Sequence, residues 1–244
     1  MLKKTPEGFY QSTLLTGVSG LLHGYTTRAF GGMKNHPENR RKFFTMLGIS
    51  TPHMYYAGQV HGNRVVSFRG DRIVEKADNA DGLIVDCGSR AILGVFVADC
   101  VPILFVDPMK RLVGTVHAGW RGTLGGISTH AVSAMEKLGS DPSRLLVSVG
   151  PYIHVCCYDV PKERADKFKD RFDSESHVAV GKNGKWFLDL GQANRLQLIA
   201  AGVAPQHIEK SEMCTSCNID EFFSYRKDSK ETFGEIMGII GFST

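Results

Sequence analysis

Residues 115–127, Thr-Val-His-Ala-Gly-Trp-Arg-Gly-Thr-Leu-Gly-Gly-Ile, run from an apolar strand pattern through a glycine-rich turn into a helical pattern. A histidine, an arginine and a helix start therefore share one junction. The unpaired N–H groups of a helix start favour an anion, and His117 at the carboxyl edge of the strand is free to bind a metal or move a proton. This junction is the leading candidate for an active site.

The hairpin before it adds a thiol. Val101–Val106 and Leu112–Val116 are apolar runs around Asp107-Pro108-Met109-Lys110-Arg111, the pattern of a tight antiparallel turn. If Asp107 faces Arg111, Val101 faces His117, and Cys100 stands one residue from that partner, within the roughly 5–8 Å reach of cross-strand neighbours. A slip in register would spoil the convergence. Pro102 removes a ladder donor, which predicts a bend at Cys100. Gln59-Val60-His61-Gly62 supplies a second imidazole. Two imidazoles and a thiolate suit Zn²⁺ and leave a fourth position open, as in catalytic sites, so His61, Cys100 and His117 are the expected metal ligands. Taken singly, each is more often a buried thiol or a satisfied core histidine. Their joint appearance beside glycine-rich turns favours ligation. Asp99, next to the thiolate, is the candidate for orienting a ligating histidine or carrying a proton.

Several segments then read together. Gln59-Val60-His61-Gly62, Asp78-Asn79-Ala80-Asp81-Gly82, Ala98-Asp99-Cys100-Val101-Pro102-Ile103-Leu104 and His117-Ala118-Gly119-Trp120-Arg121-Gly122-Thr123 resemble the successive signatures of the YfiH-like family. The likeness continues through Gly150-Pro151-Tyr152-Ile153 with Cys157-Tyr158-Asp159-Val160, then Cys214-Thr215 and Phe223-Ser224-Tyr225-Arg226, and so spans nearly the whole chain. Each motif is weak alone; seven in order are specific. Members carry the names polyphenol oxidoreductase (laccase), purine nucleoside phosphorylase and peptidoglycan editing factor. The resemblance implies a layered α/β/β/α fold with mixed sheets. It also implies phosphorolysis of adenosine, inosine, guanosine or methylthioadenosine to base and pentose 1-phosphate, with adenosine deamination at the same site. By the same resemblance Arg28 lines the metal pocket and is the leading phosphate fork, with Arg226 and Arg121 weaker, and Gln59 and Cys214 line the substrate site. One departure is the short Met33-Lys34-Asn35-His36 segment after Gly31-Gly32, where the family has a longer one; this puts substrate preference in question.

The expected function is thus a zinc-dependent purine nucleoside phosphorylase with adenosine deaminase activity, acting on nucleoside and phosphate. Alternatives are an amidase that edits peptidoglycan precursors, a hydrolase using Cys100 and His117 as nucleophile and base, or a non-catalytic module in which the ligands staple the fold and Cys214 fills the fourth position. Copper and laccase chemistry are disfavoured, because none of the nine histidines forms an H-x-H pair.

Composition narrows the classes further. A chain of 244 residues with 42% hydrophobic and 22% charged content can bury one sizeable core, and no linker or repeat divides it, so one domain over 1–244 is expected. A net charge of +4 with scattered basic residues does not call for nucleic acid. No apolar signal follows Met1-Leu2-Lys3-Lys4, and Ala91–Val106 is too short and too polar to cross a bilayer, so a cytoplasmic protein with reduced cysteines and no obligate protein partner is expected.

The elements that must carry the site follow from periodicity. Strand patterns at Val65–Phe68, Leu83–Val85, Ala91–Ala98, Val101–Val106, Leu112–Val116, Leu145–Val149 and Ile236–Ile240 outnumber helical ones at Pro37–Leu47, Thr123–Leu138, Pro161–Phe172 and Asp189–Ala201. Strands occur in hairpin-like runs, which predicts α+β with mixed sheets. Cys214-Thr215-Ser216-Cys217 lacks a βαβ context for redox work. A structural zinc would need Cys156-Cys157 as well, and adjacent cysteines on a strand point to opposite faces, so Cys217 is expected to be a small buried hydrophobe. Gly31-Gly32 and Gly125-Gly126 match neither a Walker nor a dinucleotide fingerprint.

Overall fold

Alternation along the central strands decides the layering. In Val101–Asp107, Ile103 and Phe105 point into one buried cluster while Leu104 and Val106 point into another. In Ala91–Val97, Leu93, Val95 and Val97 join that second cluster and Ile92 and Phe96 a third. A strand buried on both faces needs a partner layer on each side. The computed structural model, which describes residues 1–49, 53–68, 75–86, 91–172 and 176–242, shows that arrangement.

A seven-stranded sheet runs in the order Leu2–Lys4, Tyr10–Ser12, Leu21–Tyr25, Ile236–Phe242, Ala91–Val97, His53–Ala57, Lys76–Ala77. A six-stranded sheet runs Ile208–Lys210, Leu146–Val149, Val101–Asp107, Leu112–Ala118, Gly82–Asp86, Val65–Phe68. Both mix parallel and antiparallel pairs. The cluster holding Leu83, Leu104, Val113, Leu93 and Ile240 lies between them. The outer face of the larger sheet is covered by helix Pro37–Met46 through Phe43 and Phe44. Helices Ile127–Lys137 and Leu190–Ala200 cover the outer face of the smaller sheet. This is the layered α/β/β/α fold with mixed sheets. A third sheet, Asp159–Val160, Lys185–Leu188 and Ala179–Lys182, packs under helix Lys162–Arg171. Among the described residues no helix is long and apolar enough to cross a membrane.

One expected helix is two. The stripe Thr123–Leu138 is broken by Gly125-Gly126 into Trp120–Leu124 and Ile127–Lys137, with Gly126 in the left-handed region at φ 81°. Asn63 Nδ2 donates to the Gly125 carbonyl at 2.8 Å, and a methyl group at Gly125 would come 2.7 Å from that nitrogen. The break is thus held by a residue sixty positions away in sequence.

Candidate active site

Three left-handed residues build the mouth of the site. Gln59, His61 and Asp99 have φ of 57°, 61° and 80°, each costing on the order of 1 kcal/mol for a non-glycine residue and needing support from around it. For the 59–62 segment that support is Asp81. Its carboxylate accepts the backbone N–H groups of Val60, His61 and Gly62 at 3.2, 2.8 and 2.7 Å, and the Nδ1–H of His117 at 2.8 Å. Gln59 is pinned separately, donating to the Phe96 carbonyl at 2.6 Å and accepting the Phe96 N–H at 3.0 Å. Its amide lines the cavity with both polar ends engaged.

The structure brings His61, Cys100 and His117 together: their ligand atoms all lie within 4.8 Å of one another. The hairpin is one residue out of the expected register. His117 pairs with Pro102 and Ala118 with Val101. The expected pairing would have put Cys100 out of phase with His117. The observed one places it two residues before Pro102, hence on the His117 face, and the left-handed Asp99 turns it in just outside the strand.

Electrostatics here favour a Cys100 thiolate beside a protonated His117, whose Nε2 proton a metal would have to displace. Burial opposes ionisation of Cys100, but the charge of His117 and hydrogen bonds from His117 and His61 overcome it and hold the thiol at about 6. Burial disfavours a charged His117 as well, and the Cys100 charge with the Asp81 hydrogen bond raises it to about 9. With Nδ1 committed to Asp81, His117 offers Nε2 to a metal, the usual carboxylate–histidine arrangement at zinc. The two imidazole rings meet edge to face at 4.7 Å. A methyl group at Gly119 would fall 2.9 Å from His61 Nδ1, 3.3 Å from Cys100 Sγ and 3.7 Å from His117 Cε1. The donors therefore close over a bare backbone position, and two imidazoles with a thiolate fit zinc in type and number.

The trio faces a cavity of about 610 Å³, within the range of small-molecule sites. Phe96, Trp120, Tyr158, Tyr225 and Phe233 supply its aromatic surface, and Arg121, Arg164 and Arg226 line it together with the Lys34–Glu235 ion pair and Asp99. A larger open groove of about 740 Å³ beside Lys3 and Met46 contains no histidine or cysteine.

Other expected residues lie elsewhere. Arg28 is not among the cavity-lining residues: its Nη2 donates to both oxygens of Asp228 at 2.7 and 2.8 Å and to the Phe222 carbonyl at 3.2 Å, and it stacks 4.4 Å over Phe223. It secures the 222–233 loop that carries Tyr225 and Arg226. Arg226 reaches the cavity but pairs with Asp159. Asp99 makes no hydrogen bond to His61 or His117. It accepts Thr215 Oγ1 at 2.6 Å, Ser224 Oγ at 3.0 Å and the Arg226 N–H at 2.8 Å, fixing two loops, while burial pushes its carboxyl up against those bonds. The carboxylate on His117 is Asp81, which sequence reasoning quoted in a motif without giving it a role. Cys214 stands apart from the trio, grouped with Cys156, Cys157 and Cys217, and Cys217 is exposed rather than a buried hydrophobe. The helix expected to begin at Thr123 begins instead at Trp120, and Thr123 is a buried interior residue of that five-residue helix, bonded to Asn194.

Arg164 was missed, and it matters most for charge. Its guanidinium lies 4.4 Å over the Trp120 ring, and that of Arg121 lies 4.5 Å over the same ring. Among the described residues neither has a carboxylate partner. The helix Lys162–Arg171 reads in sequence as an ordinary solvated amphipathic helix, with no signal that its first turn faces a site.

Residues 33–243 match the family model described as multi-copper polyphenol oxidoreductase laccase. The chain is 40% identical over 215 residues, 83% of its length and 77% of the other, to purine nucleoside phosphorylase YlmD of Geobacillus stearothermophilus. It is 34% identical over 189 residues, 74% of its length and 72% of the other, to adenosine deaminase RL5 of an unknown prokaryotic organism. The crystal structure of Bacillus licheniformis hypothetical protein YfiH superposes with a TM-score of 0.87 at 29% identity, covering 99% of both chains. The sequence match and the shared fold thus show that the chain belongs to the multi-copper polyphenol oxidoreductase laccase family, that of YfiH and YlmD.

Proposed function

We propose that this chain is a zinc-dependent purine nucleoside phosphorylase that also deaminates adenosine. The observation that carries the reading is the convergence of His61, Cys100 and His117 on a cavity whose wall holds two arginines, Arg121 and Arg164, with no carboxylate partner among the described residues. No fourth His, Cys, Asp or Glu completes the trio among the described residues, which leaves a coordination position for water or substrate and weakens the reading as a mere staple. The donor set also explains why we keep zinc against the family's copper name: two imidazoles fall short of what clustered copper chemistry requires. A bound zinc supplies Lewis-acid polarisation at that open position.

The chain's own groups account for the rest. Phosphorolysis forms a bond from phosphate oxygen to ribose C1′ and breaks the bond from C1′ to the purine nitrogen, whose electron pair must be protonated. Arg121 and Arg164, both on the cavity wall and each stacked on Trp120, supply the cationic charge that favours a phosphate dianion. Tyr225 and Phe233, exposed at the rim and in edge-to-face contact at 5.9 Å, offer a stacking surface for the base. Asp81 holds His117 in one tautomer and orientation throughout. Deamination adds water to C6 and expels ammonia, and needs no phosphate site.

Mass-spectrometric product analysis of metal-loaded protein with adenosine, inosine, guanosine and methylthioadenosine, with and without phosphate, tests the reading. Base and pentose 1-phosphate should form only with phosphate, and inosine should form from adenosine in either case. No conversion of any nucleoside refutes it. The depressed Cys100 thiol beside a raised His117 also supports a second reading, a cysteine–histidine hydrolase, in which activity would survive complete metal removal.

A further inference from the structure

We propose that Cys156, Cys157, Cys214 and Cys217 form a second metal site, a tetrathiolate zinc centre that clamps the 152–158 loop to the 211–218 loop. The four sulfurs all lie within 4.8 Å of one another, with Cys217 Sγ 3.6 Å from Cys156 Sγ and 3.4 Å from Cys157 Sγ. Zinc–sulfur bonds of about 2.3 Å at tetrahedral angles give sulfur–sulfur edges of about 3.8 Å, whereas a disulfide needs about 2.05 Å. The two shortest contacts, 3.4 and 3.6 Å, lie near that edge and well beyond a disulfide bond, and all four sulfurs are close enough together to reach one ion.

The backbone explains how neighbouring cysteines can both point inward. Residues 155–157 form a turn, not a strand, in which the N–H groups of Cys157 and Tyr158 both reach the His154 carbonyl, at 2.9 and 3.0 Å. Adjacent side chains on a turn need not take opposite faces. On the other side Cys214-x-x-Cys217 is closed by Asn218, whose N–H and Nδ2 both bond the Cys214 carbonyl, at 3.0 and 2.8 Å. The His154 N–H donates to Cys214 Sγ at 3.4 Å, the backbone-to-sulfur bond that stabilises a metal thiolate. Two of the four sulfurs are on exposed residues, so ligation would also shield thiols otherwise open to oxidation.

On binding, each thiol releases its proton to solvent and each sulfur donates a lone pair; no electron transfer is involved. The clamp acts on the cavity indirectly. Ile153 and Tyr158 line it from the first loop, and Thr215 in the second loop holds Asp99, whose carbonyl in turn accepts the Ile153 N–H at 3.0 Å. None of the four cysteines belongs to the His61–Cys100–His117 cluster.

The test is metal stoichiometry and spectroscopy on the whole protein purified under reducing conditions. Elemental analysis should find about two zinc per chain, about one in Cys156→Ser/Cys217→Ser, and about one in Cys100→Ala/His117→Ala. Because the serine variant could fail to fold, wild-type protein reconstituted with cobalt provides a second readout: sulfur-to-cobalt charge transfer should reach the intensity of four thiolates plus that of Cys100. A wild-type protein with a single zinc lost only in the Cys100/His117 variant, a cobalt spectrum showing one thiolate, or a Cys157–Cys217 disulfide in freshly purified reduced protein would each overturn the proposal.

Discussion

Asp81 accepts the Nδ1 proton of His117 at 2.8 Å with the same carboxylate that receives the His61 backbone N–H at 2.8 Å, so one anion positions both imidazoles of the cluster. Burial works against that charge, but the hydrogen bonds from His117, Gly62 and His61 hold the carboxyl below the usual range. Asp81→Asn keeps the volume and removes the charge. Second-sphere carboxylates at metal sites are typically responsible for 10- to 100-fold in affinity, and a loss of about that size is expected in competition with a chromophoric chelator. Unchanged affinity would assign Asp81 to folding alone.

Gly119→Ala tests the cradle. The Gly119 backbone, at φ −74°, accepts alanine without strain, so the effect is steric: a methyl group 2.9 Å from His61 Nδ1. Metal content should fall several-fold while the thermal midpoint of the metal-free protein stays close to wild type. Full metal occupancy in the variant would show that His61 can step aside.

Phosphate binding separates the arginines. Arg164→Ala and Arg121→Ala should each lower kcat/KM for phosphorolysis about 10- to 100-fold, as expected for loss of a charge-assisted contact of about 1.5–3 kcal/mol, and leave deamination within a few-fold. Arg28→Ala should behave differently. It removes the partner of buried Asp228 and should cost about 1–2 kcal/mol of stability, seen as a lower urea midpoint, with both reactions impaired together. Selective loss of phosphorolysis in Arg28→Ala would return the phosphate to that arginine.

Cys100 alkylation distinguishes ligand from nucleophile. In metal-loaded protein iodoacetamide should label it slowly at every pH. After chelation the thiolate is free, and because its folded value is about 6, the rate should climb as pH rises through about 6 and level off by about 8, below the range of an ordinary cysteine. Peptide mass spectrometry with and without chelator reads both curves. Labelling indifferent to chelator would favour the hydrolase.

Local signals in the sequence carried far. The Asp189 cap of helix Leu190–Ala200, the strand runs of the mixed sheets and the three metal-ligand candidates were readable from residue type and spacing, while the layering came only with the family resemblance. What escaped were relations between distant segments. Whether Val101 or Pro102 faces His117 is a one-residue choice set by how the whole sheet packs, and it decides the face of Cys100. Arg28 reads as a free cation because nothing near it announces Asp228, two hundred residues on. Cys156-Cys157 read as divergent because a strand was assumed where the chain turns. Arg164 had no local mark at all.

The winding of residues 59–62 around Asp81 has a consequence for how fast the protein can be loaded. Three successive N–H groups already enclose an anion that is part of the chain, so the segment carries its own counterion and folds into its final shape without help from a cation. Uptake of metal then resembles a key entering a cut lock. Entry at the His61–Cys100–His117 site, followed in the Cys156→Ser/Cys217→Ser variant, should follow simple second-order kinetics limited by desolvation of the ion, with no slow conformational phase and no change in far-ultraviolet dichroism on loading.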